Sequence, residues 1–261
     1  FLTNNSAFEN TVYFSRFNFS FDDRLVFFSD GVTQSGIGSD DMPFGWGADN
    51  IINYLESVIS ENYGISAGML ARKVVGRAME NDKFKPQDDT TCAVIYLRKP
   101  RELLLVTGPP FDSSKDKFIA EQIQSFQGRK IICGGTTGNI IARELNRDVS
   151  VNINEISGKL PPTSKLDGVD LVTEGILTLA EVSRLLENNC YFDNCEENSA
   201  LKIIRLFMES DIITFLTGTR INEVHQNPNM PVELEIRRNI IKKTAGLLEN
   251  KFMKKVNIQF I

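Results

Sequence analysis

One histidine, one tryptophan and four cysteines are all that 261 residues contain of those types. Cys92, Cys133, Cys190 and Cys195 are scattered and form no CxxC pair, so neither a disulfide framework nor a paired-cysteine zinc site is expected. Cys190 and Cys195 stand close enough for a metal clip, but His225 is remote from both. Buried thiols in a reducing cytoplasm are the simpler reading. No apolar run approaches the roughly 20 residues that a membrane span needs. The opening "FLTNNSAFEN" has neither the basic nor the apolar region of a secretory signal, and it lacks an initial Met. A cytoplasmic protein without membrane partners, represented by a fragment, is the expectation. There is no low-complexity tract, no internal sequence repeat, and no GxGxxG or Walker loop.

What is present is a globular composition, 41% hydrophobic and 24% charged, long enough to bury a core in one large or two ordinary domains. The net charge of −5 is unevenly spread. Residues 1–98 hold 8 Lys and Arg against 13 Asp and Glu, while residues 99–261 hold 21 of each. Acidity confined to the first part argues against a nucleic-acid surface there and suits cations. At "RKPRE", Arg98 to Glu102, the pattern itself changes, which predicts a first domain over 1–98 and a second over 99–261.

In the first part, "TVYFSRFNFSF" alternates like a strand, Asp22-Asp23 reads as a turn, and "RLVFFS" as the returning strand of a hairpin. Helices are predicted over about Asp49–Asn62, capped by Asp49 or Asn50, and Ser66–Asn81. "TTCAVIYL" is a closing strand. Two acidic pairs flank these helices. Asp30-Gly31 ends the strand "RLVFFS", and Asp88-Asp89 opens "TTCAVIYL". Gly31 is expected to turn the chain sharply and leave room beside the carboxylate. Two carboxylates on neighbouring strand ends repel unless cations lie between them, and oxygen-only ligation suits Mg²⁺ or Mn²⁺. Such ions orient and deprotonate water for attack on a phosphoryl group. Taken singly, each pair also reads as an ordinary turn or cap.

Together, "FDDRLVFFSDGVTQSG" and "QDDTTCAVIYL" resemble late motifs of the metal-dependent, type 2C serine/threonine protein phosphatases, with the bacterial branch typified by stage II sporulation protein E (SpoIIE) closest. The matching residues are Ser29-Asp30-Gly31-Val32-Thr33 and Asp88-Asp89-Thr90-Thr91, and the likeness covers roughly residues 10–98. It implies a catalytic β-sandwich with flanking helices, of which this chain carries the C-terminal part. It also implies that Asp30 and Asp88 are ligands of a dinuclear Mn/Mg centre and that Asp89 supports the site by hydrogen bonding. Thr91 fits the motif's structural threonine. The implied reaction is hydrolysis of phosphoserine or phosphothreonine by metal-activated water, with a phosphoprotein partner such as an antagonist of an anti-sigma factor. The family's earlier Asp-Gly motif has no counterpart in these 261 residues. An incomplete metal site and an inactive fragment are therefore expected.

The second part repeats strand, small-residue turn and helix, which predicts a Rossmann-like α/β domain with a mostly parallel sheet. Helices are predicted near Ser113–Phe126, Thr137–Asn146 and Glu233–Asn250, and Thr178 and Glu181 have capping-box spacing. Four turns share one chemistry: Thr107-Gly108, Gly134-Gly135-Thr136-Thr137, Thr173-Glu174-Gly175 and Thr217-Gly218-Thr219. In a parallel sheet such turns converge on one edge, where backbone N–H groups and helix N-termini favour anions. A small anionic ligand, a nucleotide or phosphorylated metabolite, is the functional reading; ordinary strand-to-helix turns are the plain one. A non-catalytic sensor or interaction module using this edge is the alternative to the phosphatase. His225, Arg220 and Asn222 are polar candidates beside it. The basic residues of Arg237–Lys255 read as a solvated helix face, and Trp46 as a packed anchor.

Overall fold

A computed structural model describes residues 14–152, 160–189, 198–220 and 231–261. Cys190, Cys195, Asn222 and His225 lie outside the described residues. Two compact units divide the chain, Phe1–Lys99 and Pro100–Ile261.

The first unit contains β1 (Arg24–Phe28), a short helix α1 (Asp30–Thr33), α2 (Ala48–Glu61), α3 (Ala67–Asn81) and β2 (Cys92–Tyr96). β1 and β2 pair antiparallel, from Arg24 opposite Tyr96 to Phe28 opposite Cys92. The hairpin expected around Asp22-Asp23 is not formed by the described residues. Residues 14–20 have no regular structure, and the partner of β1 lies some sixty residues downstream. Likewise, the expected sandwich is represented among the described residues by this one two-stranded sheet. An isolated pair of strands is marginal in water. Here Val94 and Leu55 pack on a cluster of Val58, Ile65 and Leu70, while Phe28 and Cys92 pack on Val32, Trp46, Ile51, Val74 and Ala78.

The two helices follow the periodicity closely. Ser66 caps α3, its side chain accepting from the Met69 N–H. α2 has Gly47 at its cap position and no side-chain cap, while Asn50 donates to the Trp46 carbonyl. Trp46 itself is buried and meets Tyr54 edge-on at 5.4 Å, an anchor as expected.

The second unit is an α/β fold built on a seven-stranded sheet. Its elements are β3 (Glu102–Thr107), a 3₁₀ turn (Ser113–Lys115), α4 (Asp116–Ser125), β4 (Arg129–Cys133), α5 (Gly135–Leu145), β5 (Val149–Val151), β6 (Ser164–Leu166) and β7 (Leu171–Thr173). There follow α6 (Ile176–Asn188), α7 (Ser199–Glu209), β8 (Ile212–Thr217), α8 (Pro231–Phe252) and β9 (Lys255–Phe260). The strand order is β5-β6-β7-β4-β3-β8-β9. β7, β4, β3, β8 and β9 are parallel, and β5 and β6 add an antiparallel edge.

Burial on both faces explains the near-continuous apolar runs of β3 and β4. Leu104, Val106 and Ile132 meet Ile119, Ile123 and Ile141 of α4 and α5 on one side. Leu103, Leu105, Ile131 and Phe215 meet α6, α7 and α8 on the other, through residues such as Leu186, Phe207 and Ile241. Helices therefore cover both faces, and the order reverses beside the central strand β3. That is the doubly wound arrangement, in which ligands bind at the carboxyl ends of the strands near the reversal. The capping box read from Thr178 and Glu181 is not formed. α6 starts earlier, with Gly175 at its cap position, and Thr178 is fully buried.

Candidate functional sites

In the first unit, antiparallel pairing brings the end of β1 to the start of β2. The Ser29 N–H donates to the Thr91 carbonyl at 3.0 Å, extending the ladder beyond the strands. Ser29 Oγ then donates to the Asp89 carbonyl at 2.7 Å and accepts from the Thr91 N–H at 3.0 Å. This one hydroxyl thus ties together the two acidic motifs. Gly31 serves a different purpose from the one its sequence suggests: it lies in the helical turn of α1, pressed against the opposing motif. A Cβ there would stand 2.5 Å from the Asp89 carbonyl oxygen and 3.4 Å from that of Asp88. Only glycine permits the two backbones to approach so closely.

Asp30, Asp88 and Asp89 are consequently carried on one rim, all three exposed to solvent. One oxygen of each of two carboxylates is held locally. Asp30 Oδ1 accepts from the Gly31 N–H at 3.1 Å and Asp88 Oδ1 from the Asp89 N–H at 2.7 Å. The contribution of Asp89 to the Ser29 link runs through its backbone carbonyl. Exposed, oxygen-only donors suit a hard cation that retains most of its water. Among the described residues no group of three or more His, Cys, Asp or Glu side chains assembles as a metal cluster.

In the second unit a cleft of about 360 Å³ opens at the carboxyl ends of the parallel strands. Of the residues singled out in the sequence, Thr107, Gly108, Gly134, Gly135, Thr136, Thr137, Glu174 and Gly175 line it. Gly218 stands just behind. Its N–H donates to the Thr107 carbonyl, and a Cβ on it would lie 2.0 Å from the Pro109 carbonyl oxygen. Thr219 turns toward the chain end instead, its hydroxyl donating to the Ile261 carbonyl at 2.7 Å. Arg220 donates its backbone N–H to the Pro109 carbonyl.

Local structure gives the cleft its polar floor. Gly108 has φ +76° and Gly134 φ +135°, conformations that glycine adopts without strain. Gly134 precedes α5, which has no side-chain cap, so the N–H groups of its first turn face the cleft lined by Gly135, Thr136 and Thr137. Gly138, one turn on, lets α5 sit close over the sheet. A Cβ there would already touch Val172 at 3.4 Å.

Two charged side chains complete the cleft. The Arg237 guanidinium reaches in from α8 and donates from Nη1 to the Gly218 carbonyl at 3.4 Å. It lies against Gly108, whose missing Cβ would be 2.7 Å from Nη1. Sequence reasoning assigned Arg237 to a solvated face. Its signal was position: Arg237 stands four residues before Ile241, on the stripe that continues to the buried Ala245 and Leu248. Opposite in sign, Glu174 Oε1 stands 3.4 Å from the position of a Cβ on Gly135. Apolar surface is added by Pro161, Ile176 and Leu177, the last largely exposed.

Cys133 is the one thiol among the residues that line the cleft, and its surroundings disarm it. Sγ lies 3.1 Å from Thr173 Oγ1 and donates to the Glu174 carbonyl at 3.0 Å. Burial pushes its pKa up to about 12, so the thiol stays protonated at neutral pH. Comparison with protein-family models, with curated proteins and with solved structures returned no match.

Proposed function

We propose that the chain belongs to a metal-dependent phosphoserine/phosphothreonine protein phosphatase of the bacterial partner-switching type, with hydrolysis by a metal-activated water. Asp30 and Asp88 would hold Mn²⁺ or Mg²⁺, and the bound metal would supply an activated water. The observation that carries the reading is the junction of Ser29-Asp30-Gly31 with Asp88-Asp89 on one rim. It is closed by a shared serine hydroxyl and a glycine that no other residue can replace without displacing the facing carbonyl. Asp30 and Asp88 are exposed at that rim, as residues that meet a protein substrate and hydrated ions must be. The partner is a phosphoprotein of the kind that antagonises an anti-sigma factor.

The test is Mn²⁺-dependent release of phosphate from phosphoserine peptides by the full-length protein. Asp30→Asn and Asp88→Asn are each expected to lower the rate by at least about 100-fold while leaving the circular dichroism unchanged. Rates that persist in both variants, or that ignore metal removal, would refute the assignment. Mn²⁺ binding by calorimetry that disappears in Asp30→Asn is also expected.

A further inference from the structure

We infer that the cleft of the second unit is a binding site for a hydroxyl-bearing organic phosphate with a flat apolar group, of which a nucleoside monophosphate is the simplest representative. The inference is independent of the phosphatase reading, since the residues it uses all belong to the second unit.

Three observations combine. The volume of about 360 Å³ is in the range of small-ligand sites and exceeds what a bare ion fills. Positive potential comes from two elements of unrelated position: the uncapped N-terminus of α5 and the Arg237 side chain brought in by α8. Finally, the cleft is chemically divided. Its floor is Gly and Thr backbone, and its rim is Pro161, Ile176 and Leu177.

Glu174 decides the orientation and the ligand class. Its carboxylate stands beside Gly135 and would repel a phosphate placed against it. The phosphate therefore belongs on the Arg237 side, over Gly108 and the first turn of α5. Glu174 is left to accept hydrogen bonds from hydroxyls, and the apolar group lies along Ile176 and Leu177. A ligand with phosphate alone would meet the repulsion without using the acceptor or the apolar rim. A ligand without phosphate would gain nothing from the positive potential at the helix end.

Calorimetric titration of residues 1–261 with AMP, GMP, CMP and UMP tests the inference, with adenosine, inorganic phosphate and 2′,3′-dideoxy-AMP as comparisons. At least one nucleoside monophosphate is expected to bind with a Kd below about 100 μM, and at least about tenfold more tightly than adenosine or phosphate. Thr136→Glu, on the exposed first turn of α5, and Arg237→Gln should each weaken that binding by about tenfold or more with unchanged thermal melts. Glu174→Ala should abolish the preference over the dideoxy analogue and strengthen binding of inorganic phosphate. Absence of binding by all four nucleotides at 5 mM (about fifty times that Kd) would overturn the inference. So would full affinity in a folded Thr136→Glu protein, or a dideoxy preference that survives Glu174→Ala.

Discussion

Single residues decide how closely the backbones of each site approach. The sharpest case is Gly218, where a side chain would collide with the Pro109 and Gly108 carbonyl oxygens at 2.0 and 2.3 Å. These are backbone atoms at the ends of β3 and its turn and have no rotamer to yield. Gly218→Ala is expected to destabilise the second unit by about 3 kcal/mol, measured by urea denaturation. At Cys133 the expectation concerns reactivity and pH. A thiol held at about 12 instead of the ordinary 9.0 resists alkylation by iodoacetamide at pH 8 in the folded protein and reacts once unfolded, as mass spectrometry would show. The linked effect on stability has a definite sign. The folded state keeps its proton where the unfolded state loses it, so stability is full below pH 9. It then falls as pH rises toward about 12, by about 1.4 kcal/mol per pH unit from this group.

Elements in this chain depend on their neighbours more than on their own propensities. β1 and β2 are five residues each and form the only sheet among the described residues of the first unit. Such a pair gains its stability from the helices packed over one face, with Leu70 of α3 fully buried in that contact. Leu70→Ala should destabilise the unit by about 3 kcal/mol, visible as early loss of hydrogen-exchange protection in β1 and β2. Since β1 and β2 hold the acidic rim together, the same variant should also weaken Mn²⁺ binding without touching a carboxylate. α5 shows the converse case. It begins with Gly134 and no side-chain cap, although a Ser or Asp there would hold the helix better. The first turn is left open where a cap would occupy the cleft.

At the scale of the whole molecule, the described residues of the second unit form a doubly wound, seven-stranded sheet with a core on each face. Residues 100–261 expressed alone are therefore expected to unfold in one cooperative thermal transition. A non-cooperative melt would show that the unit needs the rest of the protein. Among the described residues, no helix is long and apolar enough to cross a membrane.

Much of this architecture is written locally. The apolar runs of β3, β4 and β8, the helical periodicity of α2 and α3, and the alternation of strand, small-residue turn and helix all depend on near neighbours in sequence. They determined the α/β class and the grouping of the Gly/Thr turns along one edge. What depended on distant partners was decided only in three dimensions. β1 took its partner from some sixty residues away instead of from an adjacent hairpin, because pairing strength resides in cross-strand contacts that no local pattern specifies. The need for glycine at positions 31 and 218 came from carbonyls of remote segments, and Arg237 entered the cleft only because α8 packs against α6 and β9. Local propensity is a property of the chain. Proximity between remote groups is a property of packing, and both candidate sites are made of such proximities.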